Sequence, residues 1–137
     1  MERIFPHVAF LIIITGLTIG LMCEDVPAWI LPAIAKIETR SIYQPDGSIR
    51  YVDQRVGKSG ERGPFQLKSI ALKQVHLSGW RWLICTDMAA AEYAATLFLR
   101  DCYRRAGSWW GAVCLYHSSD PTEGAAYAAK VWALRNF

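Results

Sequence analysis

The feature that most restricts the fold is an alanine-rich segment between residues 87 and 105. Its apolar side chains recur at steps of three and four, the periodicity of a helix with one buried face. Thr86 or Asp87 is expected to cap the start of this helix, and Gly107 to end it. The 137 residues suffice for one domain with a core, so we predict a mainly α-helical fold. The predicted core-facing residues are Met88, Ala91, Ala95, Phe98 and Cys102.

Proline and capping residues predict helices elsewhere in the chain. Pro27 and Pro32 fit only the first turn of a helix, so a helix is expected to begin at 28–31 and to end near residue 39. The later helices are predicted at 69–77, at 108–115 with Ser108 as cap, and at 124–134, opened by Thr122 or Glu123.

Residues 41–63 have a different composition. Turn-forming residues, among them Pro45 and Asp46-Gly47, alternate with β-formers such as Ile49 and Tyr51. This pattern predicts a long loop or a short β-hairpin that turns at Asp46-Gly47. Loops of this length inside a compact domain usually serve function, so the hairpin is expected to form one wall of a cleft.

Glu38 is the main candidate for chemistry. Ile30, Ile34 and Ile37 form an apolar stripe on the predicted helix, and Glu38 lies at its edge, one turn beyond Ile34. Desolvation raises the pKa of a carboxyl, which keeps it protonated near neutral pH and able to donate a proton to a leaving oxygen. The alternative is an exposed carboxylate at a helix end.

The first residues are strongly apolar. Residues 8–22 carry no charge and follow a short head that contains Arg3. The run fits the core of a signal peptide better than a full membrane span. We therefore expect an N-terminal hydrophobic helix in 1–24, as signal peptide or inner-membrane anchor, and a globular domain in 25–137. A buried core helix is the alternative.

Charge and metal-binding residues give few further signals. The net charge is +3 and the basic residues are scattered, which argues against nucleic acid as a partner. Histidine and cysteine show no metal-ligand spacing, so no metal and no cofactor are expected. In an exported chain Cys102 could pair with Cys114, with Cys85 competing, or the cysteines could be small buried hydrophobes.

Four segments, in this order, resemble the lytic transglycosylases of the soluble type, which are lysozyme-like. Ile34-Ala35-Lys36-Ile37-Glu38-Thr39 is similar to the helix that bears the catalytic glutamate, and Gly63-Pro64-Phe65-Gln66-Leu67 to the loop whose glutamine lies in the sugar cleft. Residues 109–118, with Tyr116 and His117, resemble the Ala-Tyr-Asn-Ala-Gly block. Residues 124–131 resemble the C-terminal helix with its tyrosine, here Tyr127. The chain departs from the pattern at Thr39, where serine is usual, and at His117, where asparagine is usual.

The resemblance implies a lysozyme-like α-helical domain that cleaves the MurNAc-GlcNAc bond of peptidoglycan with formation of a 1,6-anhydro ring. It implies Glu38 as acid and then base, and substrate contacts from Thr39, Gln66, Tyr116 and Tyr127. For Gln66 the alternative is a turn cap, and for the tyrosines a place in the core.

Glycan strands are the implied partner, and the small exported members of the family accompany secretion, conjugation or phage machinery. The implied location is the periplasm or cell envelope. Two other classes stay open. A lysozyme-type hydrolase would recruit Asp46, Asp53 or Glu61 as a second carboxylate, whereas a membrane-anchored adaptor would need no acid.

Overall fold

A computed structural model describes residues 24–136 of the chain. Within that range it contains six α-helices and one antiparallel pair of short strands, which confirms the predicted mainly helical fold with a small hairpin. In chain order the elements are α1 (Ile30–Thr39), β1 (Ile42–Tyr43), β2 (Ile49–Arg50), α2 (Ser69–Gln74), a 3-10 turn (Ser78–Trp80), α3 (Leu83–Thr86), α4 (Met88–Ala106), α5 (Trp109–His117) and α6 (Pro121–Ala133).

The N-terminal hydrophobic helix predicted in residues 1–24 lies, except for its last residue, outside the described residues. From Glu24 to Asn136, none of the helices combines the length and apolar character that a membrane span requires.

Helix α4 buries one face in the core, as its sequence predicts. Its start is capped by Asp87, whose carboxylate accepts a hydrogen bond from the Ala90 amide at 3.0 Å, and Gly107 ends it in the left-handed conformation with φ of 79°. The helix packs against α5, and α5 packs in turn against α6. Helix α1 contacts both α4 and α6. Of the five predicted core residues only Met88 is not buried; the buried residues of α4 are Ala90, Ala91, Ala94, Ala95, Phe98, Leu99 and Cys102.

One helix prediction is corrected, and one short helix is additional to the predicted ones. The last helix begins at Pro121 and not at residue 124, because Asp120 is the cap: its carboxylate accepts hydrogen bonds from the amides of Thr122 and Glu123 at 2.9 and 3.0 Å. Proline suits the first position of a helix, whose amide has no helical partner. Leu83–Thr86, for which no element is predicted from the sequence, forms one helical turn.

The hairpin forms where Asp46-Gly47 predicts it. Ile42 pairs with Arg50 and Tyr43 with Ile49, and Gly47 takes the turn with φ of 84°. The hairpin tip does not form the wall of the cleft that contains Glu38. It faces α4 across a separate groove of about 540 Å³, and the wall of the cleft is formed instead by residues 55–61, after the hairpin.

The three described cysteines, Cys85, Cys102 and Cys114, carry free thiols, so the pairing of Cys102 with Cys114 is not formed. Cys102 is fully buried, as the alternative of a small buried hydrophobe expects, and burial raises the pKa of its thiol to about 11. Cys23 lies outside the described residues.

Candidate active site

Glu38 lies at the wall of a cavity of about 760 Å³. This volume is within the range of about 300–1,000 Å³ that is usual for ligand sites. The cavity is bounded by the end of α1, by residues 55–61, by α2, and by the C-terminal ends of α4 and α5. The residues that line it and enter the argument below are Glu38, Arg55, Lys58, Glu61, Gln66, Lys68, Arg105, Tyr116, His117 and Glu123.

Glu38 is partly buried, and the pKa of its carboxyl is raised above the ordinary value of 4.5. Burial is the largest cause, and the negative charge of Glu61 adds to it. The hydrogen bond from Tyr127 opposes the rise, as do the positive fields of His117 and Arg55. Because desolvation prevails, Glu38 keeps its proton to a higher pH than an exposed glutamate, which a general acid needs.

Tyr127 holds that carboxyl in place. Its hydroxyl donates a hydrogen bond to Oε1 of Glu38 at 2.7 Å, and its side chain is only 5% exposed. Burial and the nearby Glu38 raise the pKa of Tyr127 well above the usual value, so the phenol stays a donor throughout the working pH range. The imidazole of His117 stacks on the Tyr127 ring with centroids 4.3 Å apart and planes 4° from parallel. The orientation of the Tyr127 ring, and through it that of Glu38, is therefore fixed from α5.

The turn at residues 63–66 has an unusual backbone. Gly63 has φ of 76° and Gln66 has φ of 49°, while Arg62 and Leu67 close the turn by exchanging two backbone hydrogen bonds of 3.1 and 2.9 Å. A Cβ on residue 63 would lie 2.7 Å from the carbonyl oxygen of Ile84, so both the backbone angle and the space require glycine there. The predicted glycine-to-glutamine loop is present and packs directly against α3.

Thr39 does not contact the cavity, which corrects its predicted role as a substrate-binding residue. The side chain is fully buried, and its hydroxyl lies 2.8 Å from the carbonyl oxygen of Pro64 and 3.2 Å from that of Ala35. The Ser41 hydroxyl lies 2.7 Å from the hydroxyl oxygen of Thr39. A hydroxyl has one proton to donate, and the Pro64 carbonyl is the nearer of the two carbonyl acceptors. We therefore assign the Thr39 hydroxyl as donor to Pro64 and as acceptor from Ser41. Thr39 thus ties the 63–66 turn to the end of α1.

Tyr116 has a similar role. Its ring lines the cavity, but it is only 9% exposed, and its hydroxyl donates to the carbonyl oxygen of Phe65 at 2.7 Å. The Phe98 ring packs against the Tyr116 ring, with centroids 5.4 Å apart. The hydroxyl that was expected to contact substrate holds the turn instead, and only the edge of the ring is available to a ligand.

Gln66 lines the cavity, as its sequence position predicts. Its Nε2 donates to the backbone carbonyls of Arg55 at 3.1 Å and of Gly63 at 3.0 Å. The bond to Arg55 joins the 63–66 turn to the 55–61 wall, and the bond to Gly63 closes the turn on itself. Across residues 24–136 no donor is bonded to Oε1 of Gln66, so this oxygen can accept a hydrogen bond from a ligand.

Arg55 is a site residue that the sequence reasoning missed. Its guanidinium donates to the backbone carbonyl of Glu38 at 2.6 Å, and its own carbonyl accepts from Gln66. It therefore connects the acid to the turn. The sequence offered no signal for it beyond its place in the long loop, because an arginine in a loop is usually a solvated surface residue.

Glu38, Gln66 and Tyr116 thus line one cavity, Tyr127 reaches it through its bond to Glu38, and Thr39 lies behind the turn. In the part of the chain that the structure describes, histidine, cysteine and acidic side chains form no group that could hold a metal ion. Comparisons of the chain with protein-family models, with curated proteins and with solved structures found no match.

Proposed function

We propose that this chain is a peptidoglycan lytic transglycosylase with a lysozyme-like fold, in which Glu38 acts first as acid and then as base. The observation that carries the proposal is the desolvated carboxyl of Glu38 at the cavity wall, held by the Tyr127 hydroxyl at 2.7 Å. Its raised pKa suits proton donation, because the acid stays protonated to a higher pH than an exposed glutamate. The resemblance of the four sequence segments supplies the substrate class.

In the first step Glu38 donates its proton to the oxygen that links MurNAc to the next sugar. The bond from the anomeric carbon to that oxygen breaks, the oxygen leaves as a hydroxyl, and the N-acetyl carbonyl of the MurNAc ring stabilises the positive anomeric carbon. The Tyr127 phenol remains bonded to Oε1, so the proton to be donated is carried by Oε2.

In the second step the ionised Glu38 takes the proton of the C6 hydroxyl of the same sugar. The C6 oxygen bonds to the anomeric carbon, which closes the 1,6-anhydro ring and restores the protonated acid without water. The groups that favour the ionised carboxyl are Tyr127, His117 and Arg55, since each lowers the pKa of Glu38. One residue can therefore perform both steps, because burial and these groups have opposite effects on its pKa.

Gln66 is the residue that we assign to the N-acetyl group. Its Nε2 is bonded to backbone carbonyls at 3.0 and 3.1 Å, and its Oε1 faces no donor among residues 24–136. An acetamido N–H or a sugar hydroxyl can donate to that oxygen. A fixed acceptor beside the acid would orient the sugar whose bond is cleaved.

A lysozyme-type hydrolase is the second candidate, and Glu61 is the observation that favours it. Glu61 lines the same cavity and its charge raises the pKa of Glu38, whereas Asp46 and Asp53 do not line the cavity. Its Oε2 accepts from the Ser59 amide at 2.9 Å and its Oε1 lies 4.0 Å from Lys68. A hydrolase would use Glu61 to activate water.

Product analysis separates the two candidates. Purified peptidoglycan is digested with the protein, and the released muropeptides are separated and weighed by mass spectrometry. Anhydro ends support the transglycosylase, and reducing ends with one added water support the hydrolase. Glu61→Gln is the matched variant: it abolishes cleavage in the hydrolase, while in the transglycosylase the anhydro product is still formed. A protein that releases neither product contradicts both proposals.

The proposed substrate lies outside the cytoplasmic membrane, so the proposal includes export to the periplasm or cell envelope. The apolar residues 8–22 provide the signal peptide or inner-membrane anchor that export requires. We further propose that the activity locally opens the cell wall for secretion, conjugation or phage machinery, as in the small exported proteins of the family.

A further inference from the structure

The cavity around Glu38 carries an excess of positive charge. Four cationic side chains line it, Arg55, Lys58, Lys68 and Arg105, in addition to His117. Besides Glu38 itself, the only carboxylates in the lining, within residues 24–136, are Glu61 and Glu123. During proton donation Glu38 is neutral, so the lining is cationic when the substrate binds.

The pairing of these charges leaves much of the positive field uncompensated. Lys58 is exposed and makes no ion pair with any residue from 24 to 136. Lys68 is 4.0 Å from Glu61, at the limit of an ion pair. Arg105 is bonded to Asp101 through Nε at 3.2 Å, but Asp101 also accepts from Arg104 at 3.0 Å, so one carboxylate serves two guanidinium groups.

The neutral part of the proposed substrate does not explain this field. The sugars carry no charge while the lactyl carboxyl of MurNAc is in amide linkage, and they are bound through hydrogen bonds and apolar contacts. The carboxylates of peptidoglycan are found on the stem peptides, which are linked to the lactyl group of MurNAc. A cleft with one sign of charge concentrates ligands of the opposite sign, so cations beside the acid favour strands whose muramic sugars still carry peptides.

We propose that Lys58, Lys68 and Arg105 bind the stem-peptide carboxylates, and that the protein cleaves peptide-bearing strands in preference to strands stripped of peptide. This inference rests on the proposed function, because it concerns the substrate of the same site. Arg55 is not included among the peptide-binding residues, since its guanidinium is held on the Glu38 carbonyl at 2.6 Å.

The test compares two substrates prepared from one batch of peptidoglycan. One is the intact strands; the other is strands freed of peptide by an amidase, whose newly exposed lactyl carboxylates are then coupled to methylamine so that the muramic sugars carry no charge. We expect the wild type to show kcat/KM about tenfold higher on the intact strands, which is the effect of two or three exposed charge pairs. In Lys58→Gln combined with Arg105→Gln this ratio falls toward one. Lys130→Gln, an equally exposed lysine on α6 outside the cavity, keeps the wild-type ratio. Added salt should lower the ratio in the wild type, because screening shortens the reach of the charges.

The charge reversal Lys58→Glu, at an exposed position where the fold is not at stake, provides a second measurement and should lower the ratio more than Lys58→Gln alone. Equal kcat/KM on both substrates, or a ratio that survives the charge variants, overturns the inference while leaving the proposed function intact. A binding measurement covers the case in which the wild type cleaves neither strand, and it uses the Glu38→Gln variant with both strand types. If intact strands bind about tenfold more tightly than stripped strands, the proposed function fails and the charge assignment stands. If both strand types bind equally, the charge assignment is rejected as well.

Discussion

Glu38→Gln should abolish activity and stabilise the fold, and the two effects have one cause. Glutamine has the shape of glutamate, and its Oε1 can still accept the 2.7 Å hydrogen bond from Tyr127. The substitution therefore removes the proton donor and the buried charge while leaving the packing unchanged. Loss of a general acid–base group costs about 10²–10⁴-fold in rate, equivalent to about 3–5 kcal/mol of activation free energy.

The stability effect depends on pH, and its sign follows from the raised pKa of Glu38. At a pH below the ordinary value of 4.5, the carboxyl is protonated in both the folded and the unfolded chain, so its burial carries no ionisation penalty. As the pH rises above this value, the unfolded chain loses the proton first and the wild type loses stability. The loss is complete once the pH exceeds the pKa of the folded state. Glutamine does not titrate, so the advantage of the variant grows over the same window.

The size of the stability advantage of Glu38→Gln measures how far folding raises the pKa of Glu38. At its plateau it equals about 1.4 kcal/mol for each unit by which folding raises the pKa of Glu38. Denaturant unfolding of wild type and variant is followed at intervals from about pH 4 to pH 8, and the difference in unfolding free energy is plotted against pH. Glu92→Gln, which removes a carboxylate on α4 outside the cavity, is the control for activity.

Two results would refute this reasoning. A difference in unfolding free energy that is flat with pH would mean that Glu38 is not desolvated in solution. Cleavage by the Glu38→Gln variant at more than about a tenth of the wild-type rate would mean that another group donates the proton, since acid–base groups contribute at least about 10²-fold.

The other hydroxyl contacts of the site give two further predictions. Tyr127→Phe removes a hydrogen bond that lowers the pKa of Glu38, so the alkaline limb of the pH–rate profile should move to higher pH. We also expect kcat to fall about tenfold or more. The control is Tyr93→Phe, at an exposed tyrosine outside this cavity, which should leave the profile unchanged. Thr39→Val keeps the shape but leaves the Pro64 carbonyl and the Ser41 hydroxyl without their partner. We expect a loss of about 1–3 kcal/mol in unfolding free energy, against a smaller loss for Thr39→Ser; equal losses in urea titrations would argue against the hydroxyl bond.

The sequence predicts the elements well because each has a local cause. The 3.6-residue periodicity and the cap at Asp87 specify α4, and Asp46-Gly47 specifies the hairpin turn. Errors arise where two local signals compete. Thr122 and Glu123 are acceptable helix openers, but Asp120 followed by proline is better, because its carboxylate accepts from two amides at once.

The roles of the site residues are harder to predict, because they depend on contacts between distant segments. Glu38 and Tyr127 are 89 residues apart, and Tyr116 and Phe65 are 51 apart. The sequence indicates which segments contribute to the site, but not where each hydroxyl points. The family resemblance therefore assigns Thr39 and Tyr116 to the substrate, whereas both donate to carbonyls of the 63–66 turn.

These two hydroxyls also account for the strained backbone of Gln66. Thr39 holds the carbonyl of Pro64 and Tyr116 holds that of Phe65, so two consecutive peptide groups are fixed just before residue 66. Residue 66 must then close the turn at φ of 49°, a left-handed conformation that costs a non-glycine residue about 1–3 kcal/mol. Glycine would adopt it without strain, but it has no amide to join the turn to Arg55 and no oxygen to present to the cavity. The strain is therefore the consequence of keeping a glutamine side chain in the cavity that Glu38 lines. This supports our proposal that Gln66, and not Thr39 or Tyr116, contacts the ligand.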